Sequence, residues 1–343
     1  MRKFNKFTYN DKEIEVVPEY TYLGVVMNYN NKFSKAIVNQ ITLAKKATFA
    51  LNSKILYLNL PLDLQIELYN KLIIPVLTYG CEVWGFENLE QIEILQRKFL
   101  KNALRVNKFV ANAMTYGETG QMKVEITIYT RMISFWHRLR SGHNSKISKM
   151  LFNLTKKMFD ENIYKLKWLQ KIETILNSTG LSYLWNFDGI AITYLKTYVK
   201  KRLQDASIQD WGREIQENRL CLNYRLFKVN FGLEYYLTKL DFDLRINISK
   251  FRTGSHNLPI SDKRYEPPND RSLCPLCHSD IGDEYHYVMI CTGLNHIRSK
   301  FIPQEFIIRP NTLKFQRLFS SKSISTLTKL SKFLKMIMHI FRQ

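Results

Sequence analysis

The sequence has no apolar run long enough to cross a membrane, and it has few of the residues that mark fibrous or disordered chains. A membrane helix needs roughly 20 consecutive apolar residues, whereas the best apolar segment, residues 72–77, is short and contains Pro75. Only 13 Gly and 9 Pro occur among 343 residues, which excludes a collagenous or low-complexity chain. No apolar segment follows the basic residues 1–6, so we expect no secretory signal. These absences predict an intracellular protein of the cytoplasm or nucleus, without a membrane partner.

Cysteine is too scarce for a disulfide framework. The chain has five cysteines, and three of them lie between residues 274 and 291. In an intracellular chain of this length they are expected to be reduced thiols or metal ligands. Cys81 and Cys221 stand alone and are expected in the core.

Acidic residues are few and unevenly placed. Against 51 Lys and Arg there are 30 Asp and Glu, which gives a net charge of +21. Residues 94–117, 126–159 and 306–343 contain no acid at all but many Lys and Arg. Surfaces of one sign attract polyanions, and nucleic acid is the leading candidate. The alternative is solvated helix faces that only keep the protein in solution.

The remaining composition, 45% hydrophobic and 13% aromatic, is sufficient for a large core. Alternation predicts a small N-terminal β element, with a hairpin over 4–17 and a strand over 20–26. Thereafter apolar residues recur every three or four positions, as in amphipathic helices; the first such stripe is Ile37, Ile41, Ala44, Thr48, Leu51, Ile55 and Leu58. Further helices are expected over 63–80 (interrupted at Pro75), 88–106, 123–140, 145–158, 163–178, 191–204, 207–217 and 323–341. The predicted fold is therefore mainly α, with a helical bundle and a helical C-terminal lobe.

One local motif stands out near the C-terminus. Cys274, Cys277, His286 and Cys291 form a C-x2-C-x8-H-x4-C pattern. Thiolates and an imidazole at this spacing suit tetrahedral Zn²⁺, and four protein ligands would make the site structural. His296 could replace His286 as the fourth ligand, and His278 is expected to point elsewhere. The alternative without metal is three buried thiols with incidental histidines.

Several segments, taken together, resemble one family. They are Tyr20–Val25 (YTYLGV), Leu60-Pro61, Pro75–Gly85 (PVLTYGCEVWG), Gln96–Lys101 (QRKFLK), Phe251–His256 (FRTGSH) and the Cys/His cluster with Asp283–His286 (DEYH) inside it. Their order and spacing are similar to the end of the palm, the thumb and the C-terminal region of reverse transcriptases of non-LTR, LINE-type retrotransposons. The resemblance extends from about residue 4 to about residue 300.

The resemblance implies roles for particular segments. Residues 1–28 would be the palm end with its primer-grip turn at Tyr22, Leu23 and Gly24; residues 29–142 a thumb-like bundle; 143–262 a helical linker lobe; 263–300 a CCHC zinc module; and 301–343 a basic amphipathic tail, which by default packs on the core. Phosphate contacts are expected from Arg97, Lys101 and Arg105 on one helix face, and from Arg271, Arg298 and Lys300 near the zinc module. Alternatives remain: Tyr22 could be a core aromatic, and Arg97 could pair with Glu93 on a solvated face. Trp84 and Trp136 are expected in the core.

The sequence departs from that family in one important respect. Reverse transcriptases of that family carry metal-binding aspartates for polymerisation in an Ala-Asp-Asp segment, and neither that segment nor any Asp-Asp occurs here. The expectation is a truncated, non-catalytic part of an RNA-directed DNA polymerase that binds RNA or DNA, with a palm-containing reverse transcriptase polypeptide as a possible partner. The competing expectations are a zinc-stapled helical interaction scaffold and a transposable-element remnant without function.

Overall fold

A computed structural model describes residues 7–30, 32–142, 146–187, 191–260 and 273–341. Within these residues helices dominate, and the strands are confined to the N-terminal part. This confirms the predicted fold class, mainly α with a small β element. Residues 259–270, in which Pro267-Pro268 predicts a loop at a domain boundary, lie outside the described residues from position 261 onward.

The β element consists of two separate hairpins. Strands β1 (Phe7–Tyr9) and β2 (Lys12–Ile14) pair antiparallel, with Phe7 opposite Ile14. Asn10 and Asp11 form the turn between them at φ +47° and +59°. Asn and Asp tolerate this left-handed region better than most residues, which is why the sequence predicted the hairpin correctly.

The single strand predicted over 20–26 is wrong, because the chain reverses in its middle. Strands β3 (Glu19–Tyr22) and β4 (Val25–Asn28) pair antiparallel, with Tyr22 opposite Val25. Leu23 and Gly24 form the turn at φ +46° and +78°. Two consecutive positive φ angles are characteristic of a type I′ hairpin turn, whose strongest sequence signal is Asn-Gly. Because leucine occupies the first position, the sequence did not predict this turn.

Replacing Leu23 by asparagine is expected to stabilise this second hairpin by about 0.5 kcal/mol, because Asn accepts positive φ at lower cost. Little packing would be lost, since the Leu23 side chain is exposed. Hydrogen exchange of the β3 and β4 amides measures the effect. Leu23→Val should instead speed exchange, because a β-branched residue is strained at positive φ. Equal exchange in both variants would contradict the assignment of the turn.

The helices of the described residues are numbered here in chain order. Their bounds are α1 (Ser34–Leu58), α2 (Leu62–Leu68), α3 (Ile74–Leu77), α4 (Cys81–Trp84), α5 (Glu90–Leu104), α6 (Asn112–Thr119), α7 (Val124–Ser141), α8 (Ile147–Asp160), α9 (Lys167–Ser178), α10 (Ile192–Glu217), α11 (Tyr224–Phe227), α12 (Tyr235–Lys239), α13 (Phe242–Arg252), α14 (Asn295–Phe301), α15 (Gln304–Ile307), α16 (Thr312–Phe319) and α17 (Ile324–Ile340). Short 3₁₀ turns cover Ser182–Trp185, Arg219–Cys221 and Thr292–Leu294, and π turns cover Tyr69–Ile73 and His286–Ile290.

The apolar stripe predicted for α1 is buried from Ile37 to Ile55, and only Leu58 at the helix end is exposed. The expected interruption at Pro75 is present as the π turn between α2 and α3. A proline removes one backbone donor and crowds the preceding turn, and a π turn relieves both. The two helices predicted over 191–204 and 207–217 are one, α10, because no helix breaker lies between them.

Packing divides the chain into two compact units. Unit 1 comprises Met1–Ala47, Leu72–Ile92 and Val124–Arg202, and unit 2 comprises Thr48–Lys71, Glu93–Lys123 and Leu203–Gln343. Each unit is thus assembled from three separate stretches and does not follow the five consecutive segments expected from the sequence. Trp84, Trp136 and Cys81 are buried in unit 1, and Cys221 is buried in unit 2, as expected.

The C-terminal helix α17 is an integral part of unit 2. Its apolar stripe of Leu327, Leu330, Leu334 and Ile337 is buried. The Ser331 hydroxyl donates to the carbonyl of Leu244 on α13 at 2.7 Å, and it accepts from Asn247 at 3.1 Å. The expected packing of the tail is therefore confirmed. Across the described residues, no helix combines the length and the apolar character that a membrane crossing requires.

Candidate metal centre

Three cysteines and one histidine of unit 2 converge as the spacing predicted. The ligand atoms of Cys274, Cys277, His286 and Cys291 all lie within 4.8 Å of one another. The Sγ atoms of Cys274 and Cys291 are 3.7 Å apart, and Cys277 Sγ is 3.3 Å from His286 Nε2. Ligands placed tetrahedrally at zinc–ligand distances of 2.0–2.3 Å would be roughly 3.5–3.8 Å apart. The four side chains can therefore hold one metal ion.

The first two ligands sit on a closed loop. The Cys274 N–H donates to the Asp280 carbonyl, and the His278 N–H donates to the Cys274 carbonyl, both at 2.8 Å. Leu273 and Ile281 form a single β-bridge across the loop base, and His278 adopts φ +55° to turn the chain back. This geometry directs both thiols to the same side, which is the structural value of the C-x2-C spacing.

The other two ligands sit at the ends of the π turn His286–Ile290. The Asp283 carboxylate accepts the His286 N–H at 2.7 Å, and the Cys291 N–H donates to the His286 carbonyl at 2.8 Å. A π turn contains one residue more per turn than an α-helix. The π turn includes the four residues between His286 and Cys291, and with this turn the side chains of both His286 and Cys291 reach the cluster.

Gly282 makes the close packing beside the cluster possible. A Cβ at this position would lie 2.3 Å from the Tyr287 hydroxyl and 3.2 Å from Cys274 Cα. The Tyr287 hydroxyl in turn lies beside the Cys274 thiol, and burial together with this thiol raises the pKa of Tyr287. Only glycine leaves room for this arrangement.

The thiols differ in their electrostatic environment. Hydrogen bonding from the Ser279 hydroxyl, 3.1 Å from Cys277 Sγ, and from the Ser279 backbone lowers the pKa of Cys277 to about 6. Cys277 is thus a thiolate at neutral pH, the form that binds metal. Burial, followed by the neighbouring Cys274, raises the pKa of Cys291 to about 12. Metal binding at neutral pH would therefore displace a proton from Cys291.

The rival ligands are not part of the cluster. His296 lies on α14 and is exposed, and His278 is also exposed next to Cys277. The choice that the sequence left open, between His286 and His296, is decided for His286 by the π turn.

Arg298 is buried, so its expected role in phosphate binding is wrong. Its side chain is only 2% exposed. The guanidinium donates to the carbonyls of Val288 (2.8 Å), Tyr287 (3.2 Å) and Cys291 (2.8 Å), and to Asn295 Oδ1 (2.6 Å). Arg298 therefore ties the ligand-bearing turn to α14. Lys300 is exposed, and Arg271 lies outside the described residues.

Two segments of the family resemblance meet next to the metal centre. His256 Nε2 is 3.0 Å from Glu284 Oε1, and the Asn223 amide donates to the other carboxylate oxygen at 2.6 Å. Both His256 and Glu284 are buried. Glu284 lies two residues before the candidate ligand His286, so this contact anchors the FRTGSH segment to the segment that carries His286 and Cys291.

The three basic residues predicted to line one helix face are largely engaged within unit 2. Lys101 donates to the carbonyls of Lys108 (2.9 Å) and Val110 (2.6 Å) and to Asn112 Oδ1 (3.2 Å). Burial and the nearby Arg97 lower the pKa of Lys101.

Arg97 and Arg105 complete this set. Helix α5 ends at Leu104, so Arg105 at φ +56° leaves the helix face, and its guanidinium carbon lies 5.5 Å from the centroid of the Phe242 ring. The predicted row of three is therefore wrong at Arg105. Arg97 is half-buried beside the Tyr116 hydroxyl, which donates to Glu93 at 2.9 Å.

The predicted primer-grip residues lie on an exposed turn in unit 1. Tyr22 and Leu23 are exposed, so Tyr22 is not a core aromatic. The Tyr79 hydroxyl donates to the Leu23 carbonyl at 2.8 Å, and the Tyr79 ring lies 3.4 Å from the position that a Cβ on Gly24 would take. The YLGV and TYG segments are thus fixed to each other.

Sequence reasoning missed a buried polar network in unit 2. Arg252 and Glu118 form an ion pair at 2.8 Å with both side chains fully buried, and the Tyr236 hydroxyl donates to Glu118 at 2.5 Å. Glu234 lies 3.3 Å from the Arg252 guanidinium and also pairs with buried Lys228. No regular spacing along the chain links residues 118, 234 and 252, so no sequence pattern indicates this network.

Comparison with protein-family models, with curated proteins and with solved structures yields no match. The function is therefore proposed from the residues and geometry of this chain.

Proposed function

We propose that this chain is a nucleic-acid-binding, non-catalytic part of a reverse transcriptase of the non-LTR retrotransposon type, with a structural zinc ion in unit 2. The observation that carries the proposal is the Cys274–Cys277–His286–Cys291 cluster, at the end of an ordered series of segments resembling that family. Three sulfur ligands and one nitrogen ligand favour zinc over Mg²⁺ or Ca²⁺, which prefer oxygen. Four protein ligands leave zinc no open position for catalysis.

The zinc ion would have a mechanical role. Cys274 and Cys277 lie on one loop, whereas His286 and Cys291 flank the following π turn, so a shared ion joins the two segments. The π turn is hydrogen-bonded to Arg298 of α14, and Glu284 is hydrogen-bonded to His256. Zinc binding would thus stabilise much of the surrounding structure.

Nucleic-acid binding is supported by the surplus of 21 positive charges and by exposed basic residues. Lys98, Lys108 and Lys300 are exposed in unit 2, and the Lys108 ammonium lies 4.9 Å from the ring centroid of exposed Phe109. Lysines beside exposed aromatic rings can bind both the phosphate and the base of a strand. Residues 1–343 contain no Ala-Asp-Asp segment, so we propose that they bind nucleic acid without catalysing polymerisation.

The proposal predicts strongly salt-dependent binding of structured RNA. If about six phosphates are contacted, the affinity should fall roughly a thousandfold between 50 and 200 mM salt, because each contact releases condensed counterions. Fluorescence anisotropy of a labelled RNA hairpin with the zinc-loaded chain measures this dependence. The same measurement with a DNA duplex and with an RNA–DNA hybrid of equal length would show which nucleic acid binds most tightly.

A second candidate function is a zinc-stapled interaction scaffold. It is favoured by the engagement of Arg298 and Lys101 in internal hydrogen bonds. A zinc-loaded, folded chain that binds none of the three nucleic acids at 50 mM salt would refute nucleic-acid binding and leave the scaffold as the better account.

A further inference from the structure

Unit 1 contains an open cavity of about 690 Å³. This volume lies within the range of roughly 300–1,000 Å³ that is usual for small-ligand sites. The cavity lies between α7, α8, α9 and the segments around Phe33 and Phe86. None of the metal ligands lines it, so it is separate from the metal centre.

Aromatic rings form much of the cavity wall. Phe33 and Phe86 meet edge to face with centroids 5.9 Å apart, and Phe135 and Trp168 do the same at 6.0 Å. The Trp168 indole N–H donates to the Glu82 carbonyl at 2.7 Å, which fixes the orientation of that ring. Flat aromatic surfaces held in place in this way can stack a planar guest.

The charged side chains that line the cavity are all positive. Lys32, Lys165 and Lys167 line it and are exposed, whereas none of the described lining residues carries a carboxylate. Arg138 adds a further cation, 5.8 Å from the centroid of the Phe135 ring. An anionic group on the guest would therefore be attracted at the rim.

We propose that this cavity binds a single unpaired nucleobase of a nucleic-acid strand, with the rim lysines on the adjacent phosphates. The inference rests on the proposed nucleic-acid binding and specifies where an unpaired residue would be held. Aromatic walls accept the face of any base, and basic residues accept the backbone, which is the usual chemistry of single-strand recognition. The Asn30 amide and the Ser148 hydroxyl also line the cavity and can hydrogen-bond the polar edge of a base.

The test uses two RNA hairpins with the same stem, one fully paired and one with a single bulged 2-aminopurine. The full-length, zinc-loaded chain should bind the bulged hairpin about tenfold more tightly, as expected for one stacked base. Binding should also shield 2-aminopurine from acrylamide quenching.

Two substitutions on α8 provide a matched pair. Leu151 lines the cavity and is 58% exposed, whereas Leu154 is 57% exposed and does not line it. Leu151→Trp should fill the cavity and abolish the preference for the bulge without changing the affinity for the paired hairpin. Leu154→Trp should retain both properties.

The outcomes separate the two proposals. Equal binding of both hairpins by the unmodified chain, or a preference that survives Leu151→Trp, would overturn the base site while leaving nucleic-acid binding intact. Saturable quenching of tryptophan fluorescence by dodecanoate, without any preference for the bulge, would identify a site for anionic amphiphiles instead. Failure to bind either hairpin at low salt would remove the proposed function and the base site together.

Discussion

His286→Ala is expected to abolish stoichiometric metal binding and to lower the melting temperature of the zinc-loaded chain by about 10 °C or more. His286 supplies the only nitrogen in the cluster and lies 3.3 Å from Cys277 Sγ. A structural zinc contributes on the order of 10 kcal/mol to its folded domain. That contribution exceeds the whole stability of many domains, so loss of one ligand should destabilise the surrounding structure as well as the site.

His296→Ala is the matched control. His296 is exposed and lies outside the cluster, although its spacing from Cys291 made it the alternative fourth ligand in the sequence. Zinc content after gel filtration, measured by mass spectrometry, and thermal unfolding by circular dichroism should match the unmodified chain. If instead His296→Ala loses zinc and His286→Ala retains it, the assignment of the fourth ligand is wrong.

The second large effect is expected at the buried ion pair of unit 2. Glu118→Gln should cost about 3–5 kcal/mol of unfolding free energy, because it leaves the Arg252 charge buried without its main partner. Both side chains are fully buried, and Glu118 also accepts from Tyr236. For a unit of this size, the loss corresponds to roughly 10 °C in melting temperature.

Glu67→Gln provides the comparison for this prediction. Glu67 pairs with Lys71 at 2.6 Å on the surface of the same unit, with side chains 54% and 70% exposed. Removing this pair should cost no more than about 0.5 kcal/mol, because solvent screens it and because ordering two exposed side chains costs conformational entropy. The double replacement Glu118→Leu with Arg252→Met should be less destabilising than Glu118→Gln, because no uncompensated charge remains at Arg252. A small effect of Glu118→Gln alone would show that the pair does not contribute as its burial implies.

The candidate metal centre could be predicted from the sequence because its ligands lie close together along the chain. The C-x2-C spacing and the four residues between His286 and Cys291 determine which side chains one turn can bring together. The helices were predictable for the same reason, since the α1 stripe from Ile37 to Ile55 needs only a constant period. The hairpin at Leu23 was missed because its turn lacks the usual sequence signal.

The roles of charged residues were much less predictable. Arg298 and Lys300 are two positions apart, but one is buried and bonded to three carbonyls whereas the other is exposed. A charge pattern gives the number of cations but not the atoms that surround them. The same limit applies to Lys101, whose ammonium is bonded to a following loop.

The sequence by itself determined the helical fold class, the positive charge and the three clustered cysteines of the candidate metal centre, because these depend on composition and on short-range periodicity and spacing. The tertiary structure decided which histidine joins the cluster, which arginines are buried and where the cavity of unit 1 lies. It also joined Glu118 to Arg252 and His256 to Glu284 across many intervening residues. Such contacts depend on how distant segments pack, and burial then requires each polar group to find a partner in its new surroundings.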